Sequence, residues 1–214
     1  MAAAALLWIA AATICLTPAA AAEPAPARIV AFGDSLTAGY GLPAQDALPV
    51  KLQAALKAAG VAATVANAGV SGDTASAGAE RLDWSIPADA EAVIVELGAN
   101  DALRGVDPAV TRTALDRILK RLGERKLPVL LAGMRAPPNM GADYGRQFDG
   151  IFSDLATKHG VLLYPFFLEG VAADAKLNQA DSIHPNAQGV DIIVRDILPK
   201  VRELAEQALA RRPS

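Results

Sequence analysis

Residues 28–44 read RIVAFGDSLTAGYGLPA. In this stretch, Ser35 comes almost directly after a short apolar segment and lies among residues that favour tight turns. Four roles are compatible with Ser35 in this position: a turn residue, a helix cap, a phosphate contact or a nucleophile. A nucleophilic serine needs an imidazole to take its proton, a carboxylate to orient that imidazole, and hydrogen-bond donors for the oxyanion. Those groups have to come from elsewhere in the chain.

His184 and Asp181 are the candidates for the imidazole and the carboxylate. They lie in the segment DSIHPNAQG, with the aspartate three residues before one of only two histidines. On a turn, this spacing lets the carboxylate reach Nδ1 and leaves Nε2 free to face Ser35. The other histidine, His159, ends a predicted helix, where its charge would suit the C-terminal dipole.

Three groups are candidates for oxyanion donors. Asn100, in LGAND, follows the most apolar segment and carries a side-chain amide, and Gly69, in NAGVSG, lacks the Cβ that would keep its backbone N–H at a distance. The backbone N–H of Ser35, near a predicted helix N-terminus, is the third. Taken alone, each residue also has a purely structural explanation: Ser35 as a cap, His184 as a hydrogen-bonded structural histidine, Asn100 in an Asx turn and Gly69 as a turn glycine.

The elements that would position these residues alternate between strands and helices. Apolar segments predict strands over 28–32, 61–66, 91–97, 127–133 and 161–163. Helical spacing and capping residues predict helices over 46–60, from Asp107 and Pro108, over 144–159 and from Asn186 onwards. Several strands are apolar on both faces, which favours a three-layer α/β/α sandwich with a central parallel sheet. Active sites in such sheets gather at the carboxyl ends of the strands, where the motif loops would lie.

Composition and missing motifs exclude several classes of protein. The 214 residues suit one domain, and a net charge of −3 makes a basic nucleic-acid-binding face unexpected. The G-x-S-x-G elbow of α/β-hydrolases is absent because Thr37 occupies its last position, and no P-loop sequence occurs. Two distant histidines do not supply the ligands of a catalytic metal, so we expect neither metal nor cofactor.

The first 22 residues are typical of a secretory signal peptide. Residues 2–16 are apolar apart from Thr13, and Ala20 and Ala22 form an A-x-A cleavage site. We therefore expect cleavage after Ala22, a mature single domain over 23–214, and a periplasmic or secreted protein. No Lys or Arg precedes the apolar run, and an uncleaved anchor is the alternative. Cys15, the one cysteine, lies inside this segment, so the mature chain would contain no disulfide.

Four blocks together, GDSLTAGYGL, NAGVSGDT, GAND and DSIHPNAQG, resemble the GDSL or SGNH hydrolase family. Within it, the chain resembles the bacterial periplasmic branch of acyl thioesterases, arylesterases and lysophospholipases, from about residue 28 to about residue 209. The resemblance implies a flavodoxin-like SGNH-hydrolase fold, Ser35 as nucleophile, His184 as general base and Asp181 as its orienting acid. It also implies an oxyanion hole formed by the backbone N–H groups of Ser35 and Gly69 and the side chain of Asn100. Asp34 and Asp101, inside the motif blocks, are predicted to bond turn backbone.

Substrate choice is less determined by the residues. We expect the loop from Met134 to Tyr144 to line the acyl side of the site, with contacts from Leu36, Pro138, Met140 and Tyr144; a rigid connector is the alternative. Short acyl and aryl esters are the first expectation, followed through the resemblance by thioesters and lysophospholipids, with the protein acting as a monomer. Two other hypotheses remain: a glycan O-deacetylase, disfavoured by the few aromatic residues, and a secreted acyl-binding module without catalysis.

Overall fold

One sheet of five parallel strands lies between helical layers in the computed structural model, which describes residues 25–212. The elements in chain order are β1 (Ala27–Gly33), α1 (Ser35–Ala38), α2 (Leu48–Ala58), β2 (Ala63–Gly69), α3 (Ala75–Ser85), β3 (Ala92–Glu96), α4 (Ala99–Leu103), α5 (Pro108–Glu124), β4 (Val129–Ala132), α6 (Ala142–His159), β5 (Leu162–Tyr164) and α7 (Ala187–Ala210). The strand order is β2-β1-β3-β4-β5, which is the order of flavodoxin-like sheets.

Helices cover both faces of the sheet. Helices α2 and α7 pack against each other and against the strands on one face, while α3, α5 and α6 pack together on the other. Every residue of β3 is buried, as a strand covered on both faces requires. The predicted three-layer sandwich with a central parallel sheet is confirmed.

Two predicted helix starts are confirmed by their capping bonds. The Asp107 carboxylate accepts the backbone N–H of Ala109 at 2.8 Å, and Pro108 is the first residue of α5. The Asn186 side chain caps α7 by accepting the N–H groups of Gln188 and Gly189, at 3.0 and 3.1 Å. These bonds satisfy donors that have no partner inside the helix.

The segment after β2 differs from the prediction. It was expected to be a loop through NAGVSGDTASAG, yet α3 begins at Ala75, where the Thr74 hydroxyl accepts the N–H of Ala77. The small residues at its start give no apolar periodicity, which is the signal that indicates a helix. Strand β2 itself extends to Gly69, three residues beyond the predicted end.

The carboxyl ends of the central strands lie side by side. Gly33 of β1 pairs with Gly69 of β2 on one side and with Glu96 of β3 on the other. The direction of chain progression across the sheet reverses between β1 and β3, and such a switch point opens a crevice between the following loops. The loops that carry Ser35 and Asn100 therefore meet there.

The predicted signal peptide and its cleavage site lie outside the residues that the structure describes. Within residues 25–212, no helix combines the length and the apolar character needed to cross a membrane.

Candidate active site

Three side chains predicted from the motifs meet at the carboxyl edge of the sheet. Ser35 is the first residue of α1, and its Oγ lies 2.9 Å from Nε2 of His184. Nδ1 of the same ring lies 2.7 Å from Oδ2 of Asp181. A carboxylate only accepts hydrogen bonds, so the ring proton faces Asp181 and the Nε2 lone pair faces the serine hydroxyl. This arrangement can deprotonate a serine as it attacks.

A tight turn holds the carboxylate in place. Oδ1 of Asp181 accepts the backbone N–H groups of Ile183 and His184, each at 3.0 Å, while Oδ2 stays on the imidazole. These backbone bonds, more than the bond from the ring, lower the pKa of Asp181 to about 2. Ser182 inside the turn has φ 61°, a conformation that non-glycine residues seldom adopt. The carboxylate is therefore ionised and fixed beside the ring.

Gln179 ties the turn that carries His184 to the segment that carries Ser35. The Gln179 backbone N–H donates to the carbonyl of His184 at 2.7 Å, and its side-chain amide donates to the carbonyl of Tyr40 at 2.8 Å. The Tyr40 ring packs on the imidazole, with a centroid separation of 4.6 Å. Sequence analysis missed both residues. The aromatic residue in the GYG segment, a few residues after Ser35, was the available signal.

Asp34 orients the residue that follows it. Its side chain caps α1 by accepting the N–H of Leu36 at 3.0 Å, which agrees with its predicted backbone-bonding role. The N–H of Ser35 has no acceptor within residues 25–212 and sits at a helix start, where negative charge is favoured. Asp101 likewise accepts the N–H of Ala75 and the hydroxyl of Thr111, at 2.8 and 3.0 Å.

Asn100 lies beside the same cavity as Ser35, at the start of α4. Its Nδ2 donates to Oδ2 of Asp34 and to the carbonyl of Asp73, each at 3.0 Å. The amide is thus held close to Ser35, but its hydrogens have acceptors in the free protein. Donation to an oxyanion requires one of these bonds to be shared or released.

Gly69 does not present a free amide. Its N–H donates to Oδ1 of Asn67 at 2.9 Å, and a Cβ on it would collide with the backbone of Ala38. The glycine is therefore required by close packing of β2 against α1. Gly72, three residues on at φ 87°, has an N–H without an acceptor in the described part of the chain. Hydrogen-bond directions of backbone groups in a glycine-rich loop cannot be inferred from residue type.

A buried arginine joins the loops near Ser35 and Asn100. Arg81 of α3 donates to the carbonyls of Gly33 and Ala68, at 2.8 and 3.0 Å, and forms an ion pair with Asp73 at 2.5 Å. Its guanidinium lies over the Phe32 ring, 4.2 Å from the centroid. It thereby joins the ends of β1 and β2 to the loop that contacts Asn100. Sequence analysis missed it because α3 itself was not predicted.

An apolar cavity of about 560 Å³ opens beside Ser35 and His184. Two of the predicted contacts, Leu36 and Pro138, line it. Further apolar lining side chains are Leu103, Met134, Phe166, Leu168 and Ile183. Arg135 is the one Lys or Arg residue in the cavity wall. Its guanidinium lies over the Phe166 ring, and one of its nitrogens lies 3.6 Å from the Glu169 carboxylate.

Met140 and Tyr144, also predicted to contact substrate, do not reach the cavity wall. The Tyr144 hydroxyl donates to the carbonyl of Val106 at 2.8 Å, and its ring stacks on Phe148 at 5.9 Å. The Met140 side chain lies against Gly105. These contacts fasten the loop to its neighbours, so this half of the loop is a support for the half that lines the cavity.

His159 and the acidic residues form other contacts. His159, at the end of α6, lies 2.6 Å from Asp116 and takes no part in the site. Across residues 25–212, no group of three or more His, Cys, Asp or Glu side chains is arranged to hold a metal ion.

Comparison with known proteins agrees with this geometry. A family model described as GDSL-like lipase/acylhydrolase matches residues 31–192. The chain is 34% identical over 194 residues to esterase TesA of Pseudomonas aeruginosa, covering 90% of this chain and 94% of the relative. It is 38% identical over 159 residues to thioesterase 1/protease 1/lysophospholipase L1 of Escherichia coli, covering 74% and 75%.

Among solved structures, the esterase AlinE4 of the SGNH-hydrolase family is 49% identical, with a TM-score of 0.72 over 84% of this chain and 97% of that one. Both the fold and the motif-bearing loops fall within the matched regions. The chain therefore belongs to the GDSL-like lipase/acylhydrolase family.

Proposed function

We propose that this protein hydrolyses carboxylic esters through an acyl-enzyme formed on Ser35. The observation that carries the proposal is the unbroken set of polar contacts from Ser35 Oγ through His184 to Asp181, beside an apolar cavity. Family membership, and relatives whose names describe esterases, support the same class of reaction. No step requires a cofactor.

Acylation begins when Ser35 Oγ attacks the acyl carbon and its proton passes to Nε2 of His184. The ionised Asp181 stabilises the imidazolium that forms, since the pKa of this carboxyl is held at about 2. The tetrahedral intermediate then breaks its bond to the leaving oxygen, which takes the proton from Nε2. The acyl group stays on Ser35 as an ester, and an alcohol departs.

Deacylation repeats these steps with water. A water molecule attacks the acyl carbon through its oxygen, and Nε2 of His184 takes a proton from that water. The bond to Ser35 Oγ breaks, the serine recovers its proton from the imidazolium, and a carboxylic acid is released. The enzyme returns to the arrangement in which Oγ lies 2.9 Å from Nε2.

The oxyanion formed in both steps needs aligned donors. The free backbone N–H of Ser35 and the side-chain amide of Asn100 supply two of them. The motif loop after β2 supplies the third, for which Gly69 was the expectation and the free N–H of Gly72 is the alternative. A structure of the protein inhibited by an alkyl phosphonate distinguishes the two, because the donor in use lies within hydrogen-bonding distance of the phosphonyl oxygen.

The cavity supports acyl and aryl groups as substrates. Its lining is mainly apolar, and such a wall favours the hydrocarbon part of an ester over a glycan. Thioesters and lysophospholipids follow as candidates, since one relative is named a thioesterase and lysophospholipase. A panel of p-nitrophenyl esters and acyl-CoA thioesters of increasing chain length ranks them. Preference for acetylated glycan over every ester in the panel would favour a deacetylase.

Replacement of Ser35 by alanine tests the proposal against non-catalytic acyl binding. Hydrolysis of p-nitrophenyl butyrate by the Ser35→Ala variant should fall to the level of the buffer alone, with unchanged thermal stability. Ser153→Ala is the control, because that hydroxyl lies on the exposed surface of α6 and donates only to its own helix. Equal hydrolysis by both variants would overturn the proposal, and ligand binding without turnover by wild type would favour a binding module.

Export and domain organisation remain proposals based on the N-terminal sequence. The first 22 residues are proposed to be removed, so that a single catalytic domain over 23–214 acts outside the cytoplasm. N-terminal sequencing of the protein recovered from periplasm and medium tests the cut after Ala22. We propose that the protein acts on small-molecule esters as a monomer. Light scattering tests this by measuring the mass of the protein in solution.

A further inference from the structure

Glu96 ends the apolar strand β3 with a carboxyl group that is completely buried. Its Oε1 is the one buried side-chain polar atom in residues 25–212 that has no hydrogen-bond partner. Burial of an ionised carboxylate without partners is strongly unfavourable, whereas a protonated carboxyl carries no charge. The proposed reaction makes no direct use of this group, although it lies beneath the nucleophile loop.

The other oxygen of Glu96 contacts that loop. Oε2 accepts the hydroxyl of Thr37 at 2.7 Å and faces the backbone N–H of Asp34 at 3.4 Å. Gly33 makes this approach feasible, because a Cβ there would collide with both the Thr37 hydroxyl and the Glu96 carboxyl. The glycine of the GDSL block therefore makes room for a buried acid.

Asp34 and Glu96 are both completely buried, and they are in contact, since the backbone N–H of Asp34 faces Oε2 of Glu96 at 3.4 Å. Asp34 has two donors of its own, the N–H of Leu36 and the amide of Asn100. These partners favour its charged form. Each oxygen of Asp34 accepts one of these donors, whereas Oε1 of Glu96 has no donor, so the proton of the pair is assigned to Glu96, whose Oε1 can then donate it.

The charged groups on neighbouring elements fit this assignment. Arg81 of α3 donates to the carbonyl of Gly33 but is paired with Asp73, and β4 presents Ala132 beside Glu96. Burial raises the pKa of Asp34 to about 6. Burial also raises the pKa of Glu96 well above its ordinary range, and the negative charge of Asp34 raises it further. Both directions favour a pair that keeps one proton, on Glu96.

We propose that Glu96 is a positioning residue, a protonated acid whose hydrogen bond holds the Asp34 carboxylate in place. Asp34 in turn fixes the first turn of α1, which carries Ser35, and the side-chain amide of Asn100. Loss of the proton from Glu96 places two negative charges side by side under the nucleophile. The proposal rests on the serine mechanism above, since it concerns how that serine is oriented.

Substitution at Glu96 tests the proposal through kcat and its dependence on pH. Glu96→Leu removes the hydrogen bonds and should lower kcat for p-nitrophenyl butyrate by about tenfold or more, with KM little changed. Glu96→Gln restores an uncharged donor and acceptor and should recover most of that loss. Wild type should also lose kcat at alkaline pH when Glu96 ionises, and the glutamine variant should not. A glutamine variant as impaired as the leucine variant, with a normal melting temperature, would refute the proposal.

Two matched threonines keep the test decisive even if the Glu96 variants fold poorly. The buried hydroxyls of Thr37 and Thr111 each donate to a buried carboxyl, of Glu96 and Asp101 respectively. The Thr37 bond lowers the pKa of Glu96, so Thr37→Val should move the alkaline fall in kcat to higher pH. Thr111→Val should leave it in place. Identical profiles would overturn the proposal, while an active Ser35→Ala variant would overturn the serine mechanism instead.

Discussion

The Asp181 turn allows a sharp test of how the imidazole is oriented. In Asp181→Asn, one oxygen can still accept the backbone N–H groups of Ile183 and His184, each at 3.0 Å in wild type. The new NH₂ then faces Nδ1, which stood 2.7 Å from a carboxylate oxygen. Rotating the amide the other way would set NH₂ against two N–H donors and lose both bonds. The structure therefore selects the first orientation.

The cost in turnover follows from the tautomer. Two lost backbone bonds disfavour the rotated amide by about 2–3 kcal/mol, at roughly 1–1.5 kcal/mol each. With NH₂ facing it, Nδ1 must accept, so the ring proton moves to Nε2 and points at Ser35. That tautomer cannot take the serine proton. The same exchange in a serine protease lowers kcat about 10⁴-fold, and we expect a loss of about 10³–10⁴ here.

The assay compares three variants on p-nitrophenyl butyrate, each with a melting curve. Asp181→Ala has no NH₂ to force the wrong tautomer, so it should retain more kcat than Asp181→Asn, but it should be less stable because the turn loses its backbone bonds. Asp174→Asn is the control, since that carboxylate also accepts an N–H two residues on, from Lys176 at 2.8 Å. A loss below about tenfold for Asp181→Asn, or the opposite order of the asparagine and alanine variants, would refute the reasoning.

Two further predictions concern catalysis and stability. Asn100→Ala should lower kcat by about 10²–10³, or about 2.7–4 kcal/mol, because it removes an oxyanion donor. A loss under about threefold would remove that residue from the site. The pKa of Glu91 is lowered to about 2, chiefly by the hydrogen bond from Arg212, so the ionised carboxylate stabilises the fold above about pH 4.5 and this contribution is lost as the pH falls through 2. Glu91→Gln should therefore melt several degrees below wild type at pH 7 and close to wild type at pH 2. Melting curves at both pH values test this. An equal difference in melting temperature at both pH values would exclude the ion pair as the source of the stabilisation.

The sequence predicts the candidate catalytic side chains better than it predicts the residues around them. Ser35, Asp181 and His184 are recognisable because each belongs to a short motif of polar and turn-forming residues, and parallel strands bring such loops to one edge. The direction of a backbone N–H has no comparable signal. Gly69 was therefore expected to donate to the oxyanion, whereas its N–H is bonded to Asn67.

Buried polar partners are equally hard to predict from residue types. Glu96 follows four apolar residues of β3 and could equally have marked an exposed strand end. Its complete burial depends on Gly33 in the neighbouring strand, a pairing that only the register reveals. Tyr144, by contrast, lies in a loop of the expected kind but bonds away from the cavity. Loop membership alone does not indicate which way a side chain points.

Ser35 and His184 are 149 residues apart in the chain, yet their side chains touch. Joining them requires one of the longest loop closures available to this chain, and contacts of that kind are slow to form during folding. Recovery of ester hydrolysis after dilution from denaturant should consequently be among the last events of refolding. Catalytic turnover would then serve as a reporter of chain closure from end to end, later than signals that follow helix formation.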